Sequence, residues 1–203
     1  MSDLAVHVRD HLALSASALA IALAVGIVLG GWIARTRVLR GAGLGVIAAA
    51  RVVPSLAVLA IMIPLVGVGF VPALIALVLL AVPPIAISTD LGLRTTPSSV
   101  LDAAAGMGMS ERQIRRRVQW PLAVPVVFSG VRTAAVEVIA SATLAAFIGG
   151  GGLGELIVNG LANNDTGSLI EGAAAVGVLA LATELLLGAV ERRLRARWGT
   201  LAA

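Results

Sequence analysis

Long apolar runs separated by short polar turns set the plan of this chain. Five of them, residues 12–34, 44–66, 70–87, 122–148 and 169–190, approach or exceed the length that crosses a hydrocarbon core as a helix. They predict an all-α integral membrane protein of about five transmembrane helices in one domain, residues 1–203. Proline falls inside several runs: Pro54 and Pro64 in the second, Pro72, Pro83 and Pro84 in the third. Gly67-Val68-Gly69 joins these two by a very short turn. A further short helix within residues 154–161, re-entrant or interfacial, is left open.

One stretch breaks the apolar pattern. Residues 95–121 read TTPSSVLDAAAGMGMSERQIRRRVQWP. Ser99 followed by Asp102 fits a capping box, which predicts a short helix from near Val100. Gly106-Met107-Gly108-Met109 interrupts it, because glycine disfavours helix continuation and permits a bend. Ser110 followed by Gln113 forms a second box. It predicts a second short helix running to Val118, with Pro121 opening the next element.

Charge then orients the chain. All fifteen basic residues are arginine. They crowd the polar segments after the first, third and fifth runs, and none lies in the segments after the second and fourth. Arginine-rich flanks stay in the cytoplasm, so the N-terminus is expected outside, and the C-terminus and the 95–121 stretch inside. Only 13% of residues are charged and 59% are hydrophobic, unlike a soluble domain. Cysteine is absent, which removes thiol chemistry and thiolate-held metals. Aromatics are only 3%, which argues against a base-stacking surface, and no nucleic-acid partner is expected.

Ionisable groups inside a span usually line a pathway or lock helices together. Arg51, Arg132, Glu137 and Glu184 are such groups, and Ser55 and Thr143 are counted with them as pathway or gate candidates. The competing reading for Glu184 is a structural pair with Arg51 or Arg132. His7 and His11 stand four apart, too few ligands for a metal, and read as solvated. No metal site is expected. Gly149, Gly151 and Gly154 spell G-x-G-x-x-G, but no strand precedes them, so a hinge is the better reading. No P-loop is present, so ATP is not expected to bind this chain through one.

The polar stretch resembles the cytoplasmic coupling loop of permease subunits in ATP-driven bacterial importers. Asp102, Ala103 and Ala104 stand where that family has Glu-Ala-Ala. Gly108, Val118, Trp120 and Pro121 follow at the family's spacing, with Asp for Glu, Val for Ile and Trp for Leu as departures. From Arg51 to Leu194 the chain also looks like permeases for glycine betaine, carnitine and choline, through RVVPSLAVLAIMIPLVGVG, WPLAVPVVFSGVRTA and FIGGGGLGELIVNGL. The resemblance implies a methionine-importer-like (type I importer) permease fold in a bacterial cytoplasmic membrane, crossing several times. It implies an ABC ATPase subunit, which carries the ATP and Mg²⁺, a second permease, identical or paralogous, and an extracytoplasmic substrate-binding protein. The chain itself would be no enzyme and would hold no cofactor. Asp102, Ala103, Ala104, Gly106, Gly108, Ser110, Glu111, Arg112, Arg115, Arg116 and Pro121 would couple to the ATPase. The implied cargo is a compatible solute. Methionine or another amino acid is the alternative, and a membrane scaffold without transport is the alternative of a different class.

Overall fold

In hydrocarbon a backbone must satisfy its own hydrogen bonds, so apolar runs of this length become helices. The computed structural model describes residues 2–36, 43, 45–49 and 52–198. Helix α1 spans Ser2–Ile33, α2 Ser55–Val66, α3 Phe70–Arg94 and α4 Ser98–Gly106. Helix α5 runs over Glu111–Ala142, followed by a 3₁₀ turn at Leu144–Ile148. Helix α6 covers Gly154–Ala162, the segment left open above and one residue more, and α7 covers Thr166–Trp198. The described residues contain no strand.

Four helices, α1, α3, α5 and α7, are long and apolar enough to cross a membrane. The run at 44–66 is not one helix. Residues 43 and 45–49 are helical, but Val52–Pro54 is not, and Pro54 is extended at φ −59°, ψ 134°. Proline lacks the donor that would continue the helix and forces its predecessor out of the helical region. Helix α2 alone, at 12 residues, is about 18 Å long and too short to span.

Among the described residues, contacts between the long helices set their relative directions. Gly26 of α1 faces Ile85 and Gly30 faces Ala86 and Thr89, so α1 and α3 run parallel. Ile33 at the end of α1 and Phe70 at the start of α3 therefore lie at opposite ends of the bundle. Gly69, just before α3, donates its N–H to the Ile148 carbonyl at 2.6 Å. Helix α5 runs antiparallel to α3, since Gly92 meets Ala123 and Val126 while Gly130 meets Ser88 and Pro84.

Lipid tails are as apolar as leucine, so helices in a membrane associate by close packing of small residues. Ala18, Ala22, Ala73, Ala76, Ala81, Ala134 and Ala142 are buried at the shared seam, with Leu14, Leu59, Leu77, Ile85 and Val138 filling between them. Between the long helices, Gly30 and Gly130 take the closest approaches. An added Cβ would lie 2.4 Å from the Ala86 carbonyl oxygen at Gly30, and 2.5 Å from Ser88 Cβ at Gly130.

The polar start of the chain departs from the expectation. Helix α1 already includes Ser2–His11, and His11 is fully buried rather than solvated. Its Nε2 lies 3.1 Å from the Ile139 carbonyl oxygen. Gly152, at φ +83°, fits beneath it, where a Cβ would come within 3.1 Å of the His11 ring and backbone. His7 Nε2 lies 3.4 Å from Glu155 Oε2 of α6.

Candidate functional site: the coupling stretch and the intramembrane charges

The polar stretch projects from the end of the bundle where α3 stops. Helix α4 begins at Ser98, after Pro97, and no side chain caps it. The Ser99–Asp102 box therefore does not form; Pro97 already supplies the turn into the helix. The bend then appears as the glycines foretell. Met107 N–H donates to the Ala103 carbonyl and Gly108 N–H to that of Ala105, at 3.1 and 2.9 Å. Gly108 sits at φ +81°, the left-handed region that favours glycine.

At Ser110 the box is complete. Its hydroxyl accepts from Gln113 N–H at 3.4 Å, and Gln113 Oε1 accepts from Ser110 N–H at 2.8 Å. The helix it opens does not stop at Val118. It continues through a π-turn at Arg115–Gln119 into Trp120–Ala142, so Pro121 lies inside one rod. The wider π-turn, with its shifted hydrogen-bond register, accommodates a proline that has no N–H to give. Gln119 Nε2 donates to the Leu93 carbonyl at 2.8 Å, satisfying an orphan acceptor at the end of α3 and pinning the rod there.

Asp102, Ala103, Gly106, Gly108, Ser110, Glu111, Arg112 and Arg116 are exposed. Ala104 is buried in the bend, and Arg115 and Pro121 are half-buried. Ser110, Arg112, Gln113, Arg116 and Arg117 line an open basic depression of about 490 Å³. Met107, absent from the expected set, caps the apex at 75% exposure. Its position between two glycines is the signal that could have found it. The stretch thus presents a basic, glycine-hinged tip with an apolar cap.

The intramembrane candidates fall into two groups. Glu137 of α5 and Ser55 at the start of α2 line one cavity of about 280 Å³ with Pro54, Leu80 and Ser141. Arg132 and Glu184 meet elsewhere, between α5 and α7. Arg132 Nε donates to Glu184 Oε2 at 2.9 Å, and its Nη2 also contacts Glu184 Oε1. Arg132 Nη1 donates to Glu191 Oε2 at 2.7 Å, and Arg195 binds the other oxygen of Glu191 at 2.7 Å. Glu191 is only 6% exposed. Its spacing of seven from Glu184 and four from Arg195 places all three on one helix face, a signal in plain view. Thr143 lies in neither group. Its hydroxyl donates to the Ala140 carbonyl at 2.6 Å, and its own carbonyl lies against Gly154. Arg51 lies outside the described residues.

Asp90 is fully buried and held by Arg94 one turn on, through Nε at 2.9 and 3.0 Å. It closes the end of α3 just before the polar stretch.

A bundle of helices long and apolar enough to cross a membrane, with one large basic projection at one end, has the build of a membrane-spanning component. The chain belongs to the family of binding-protein-dependent transport system inner membrane components, whose model matches residues 22–196. The carnitine transport permease protein OpuCB of Listeria monocytogenes is 40% identical over 192 residues, covering 95% of this chain and 88% of that protein. The choline transport system permease protein OpuBB of Bacillus subtilis (strain 168) is 40% identical over 187 residues, 91% of this chain and 85% of that one. In fold, a chain of the MetNI methionine ABC transporter superposes with a TM-score of 0.84 at 20% identity, covering 96% of this chain and 97% of that one.

Proposed function

We propose that this chain forms the translocation pathway of an ATP-driven importer for a small quaternary-amine compatible solute such as choline, carnitine or glycine betaine. The observation that carries the reading is the similarity, over more than nine-tenths of the chain, to permeases named for carnitine and choline. The composition supports a division of labour. Aromatic faces hold a quaternary ammonium best, and this chain has only three Trp and three Phe. A separate binding protein then supplies the tight site, and the permease a weak one. The cavity shared by Glu137, Ser55 and Ser141 offers a carboxylate for a passing cation.

The tip at residues 102–116 docks on the ATPase, which carries ATP and Mg²⁺, and a second permease, identical or paralogous, completes the pathway. Arginine asymmetry puts the tip in the cytosol and the end bearing His11 and Gly152 outside. The test is uptake by the complete complex in vesicles, with choline, carnitine, glycine betaine, proline and methionine offered in competition. ATP-dependent choline or carnitine uptake is expected. Uptake of methionine that none of the quaternary amines inhibits would overturn the cargo assignment. In the same assay Glu137→Gln is expected to change the uptake kinetics with the complex still assembled.

A further inference from the structure

At the end where α3 stops, the surface of α1 holds two joined depressions. One, of about 390 Å³, is lined by Ile27, Val28, Leu29, Trp32, Arg35 and Trp120. The other, of about 160 Å³, shares Gly31, Arg35 and Trp120 with it and adds Arg115 and Gln119. The first is an exposed, largely apolar groove: Val28 is 70% exposed and Trp32 54%. The second is a basic cup. Two arginines, Arg35 and Arg115, line it, and among the described residues neither makes an ion pair. Asp90, the buried carboxylate of this end, is engaged by Arg94. Like charges gathered without a counter-charge repel and favour an anion between them. Gly31 keeps the two depressions connected. A Cβ there would meet only the Trp120 ring, at 3.8 Å, so the absence of a side chain leaves the passage under that ring open.

We propose that this groove and cup form a binding site for one anionic phospholipid. An acyl chain lies along Ile27 and Val28, and the phosphodiester sits between Arg35 and Arg115. Trp32 and Trp120 stand at headgroup level, where tryptophan prefers the membrane interface. An acidic protein surface would satisfy the cup but leave the groove beside it unfilled, whereas an amphiphile with one anionic head and apolar tails fills both. Basic pockets between membrane helices bind anionic headgroups in this way. The site lies beside the π-turn of α5, so its occupant touches the base of the ATPase-facing tip.

The test is lipid retention by the assembled transporter, read by native mass spectrometry. Delipidated complex is offered equal phosphatidylglycerol and phosphatidylcholine. Phosphatidylglycerol is expected to be retained preferentially, by about fivefold for each guanidinium. Arg35→Gln and Arg115→Gln should each remove their share, Arg35→Lys should keep most of it, and Gly31→Leu, which fills the groove, should lower retention of both lipids. Equal retention of the two lipids by the wild type overturns the proposal, as does an unchanged preference in Arg35→Gln. Inorganic phosphate in millimolar excess should not displace the lipid; if it does, the cup recognises the free anion and the groove has no part. Loss of the ATPase from Arg35→Gln with the lipid preference intact would assign the cup to protein docking instead.

Discussion

Gly30→Ala adds one carbon at the tightest point of the α1–α3 seam. The new Cβ would sit 2.4 Å from the Ala86 carbonyl oxygen and 2.7 Å from Thr89 Cβ. The first of these is backbone and cannot rotate away, so the helices must separate by close to an ångström. Overpacking of this kind costs typically about 1–3 kcal/mol, and a backbone obstruction belongs at the upper end. Alanine is the better helix former by about 1 kcal/mol, which offsets part of the cost. The net expectation is a loss of about 2 kcal/mol. Gly177 of α7 provides the control, because nothing lies within 4 Å of its added Cβ. Gly177→Ala keeps the propensity gain without the clash and should be neutral or stabilising. Thermal unfolding of the purified complex in one detergent measures both. Equal stability of Gly30→Ala and Gly177→Ala would refute the claim that small residues set the α1–α3 distance.

Gly108→Asp should leave assembly intact, since nothing in this chain lies within 4 Å of the added Cβ and the positive φ costs about 1 kcal/mol. It should nevertheless abolish stimulation of ATP hydrolysis by loaded binding protein, and full uptake would refute the coupling role. Arg132→Gln should loosen α7 from α5, because Glu184 and Glu191 then face each other without their shared cation. Adding Glu184→Gln should recover part of the lost thermal stability, and strictly additive effects in the double-mutant cycle would deny the contact. At the start of α7, the Ser168 hydroxyl and the N–H groups of Ser168 and Gly167 hold the Asp165 carboxyl below the usual carboxylate range. Its folded pKa is thus depressed, so its contribution is complete above the unfolded value of about 4 and is lost as pH falls through the folded one. The stability difference between wild type and Asp165→Ala should be constant near neutrality and shrink in acid; a difference that grows in acid would contradict the sign.

What was legible in the chain was local. Ser110 and Gln113 announce their own capping box and Gly108 its bend, because the partners lie within a few residues; the short helix at Gly154–Ala162 is left open. The Arg132–Glu184 contact was one of two options the charges allowed. What was not legible depends on distant partners or on competing backbone demands. His11 looks like a polar residue near a chain end, and nothing near it names Ile139, 128 positions away, as its partner. Ser99 has the residues of a cap, yet Pro97 starts the helix earlier. Pro121 reads as a boundary, and only the register change at Arg115–Gln119 lets a helix pass through it. The run at 44–66 has the composition of a span but not the backbone, since Pro54 outweighs hydropathy.

The continuity of α5 has a mechanical consequence. Because Glu111–Ala142 is a single rod, it can act as a lever, with the Gln119–Leu93 hydrogen bond as its fulcrum. The arm toward the tip is about 12 Å long and the arm through the bundle about 35 Å, at 1.5 Å per residue. A sideways push of about 1 Å at Glu111 therefore swings the far end by about 3 Å, provided the rod does not flex. Glu137 rides on the long arm, so the widest stroke falls on the part of α5 that faces the cavity with Ser55. The π-turn sits at the fulcrum itself, where the bending moment is greatest, and it sets how much of the push is transmitted.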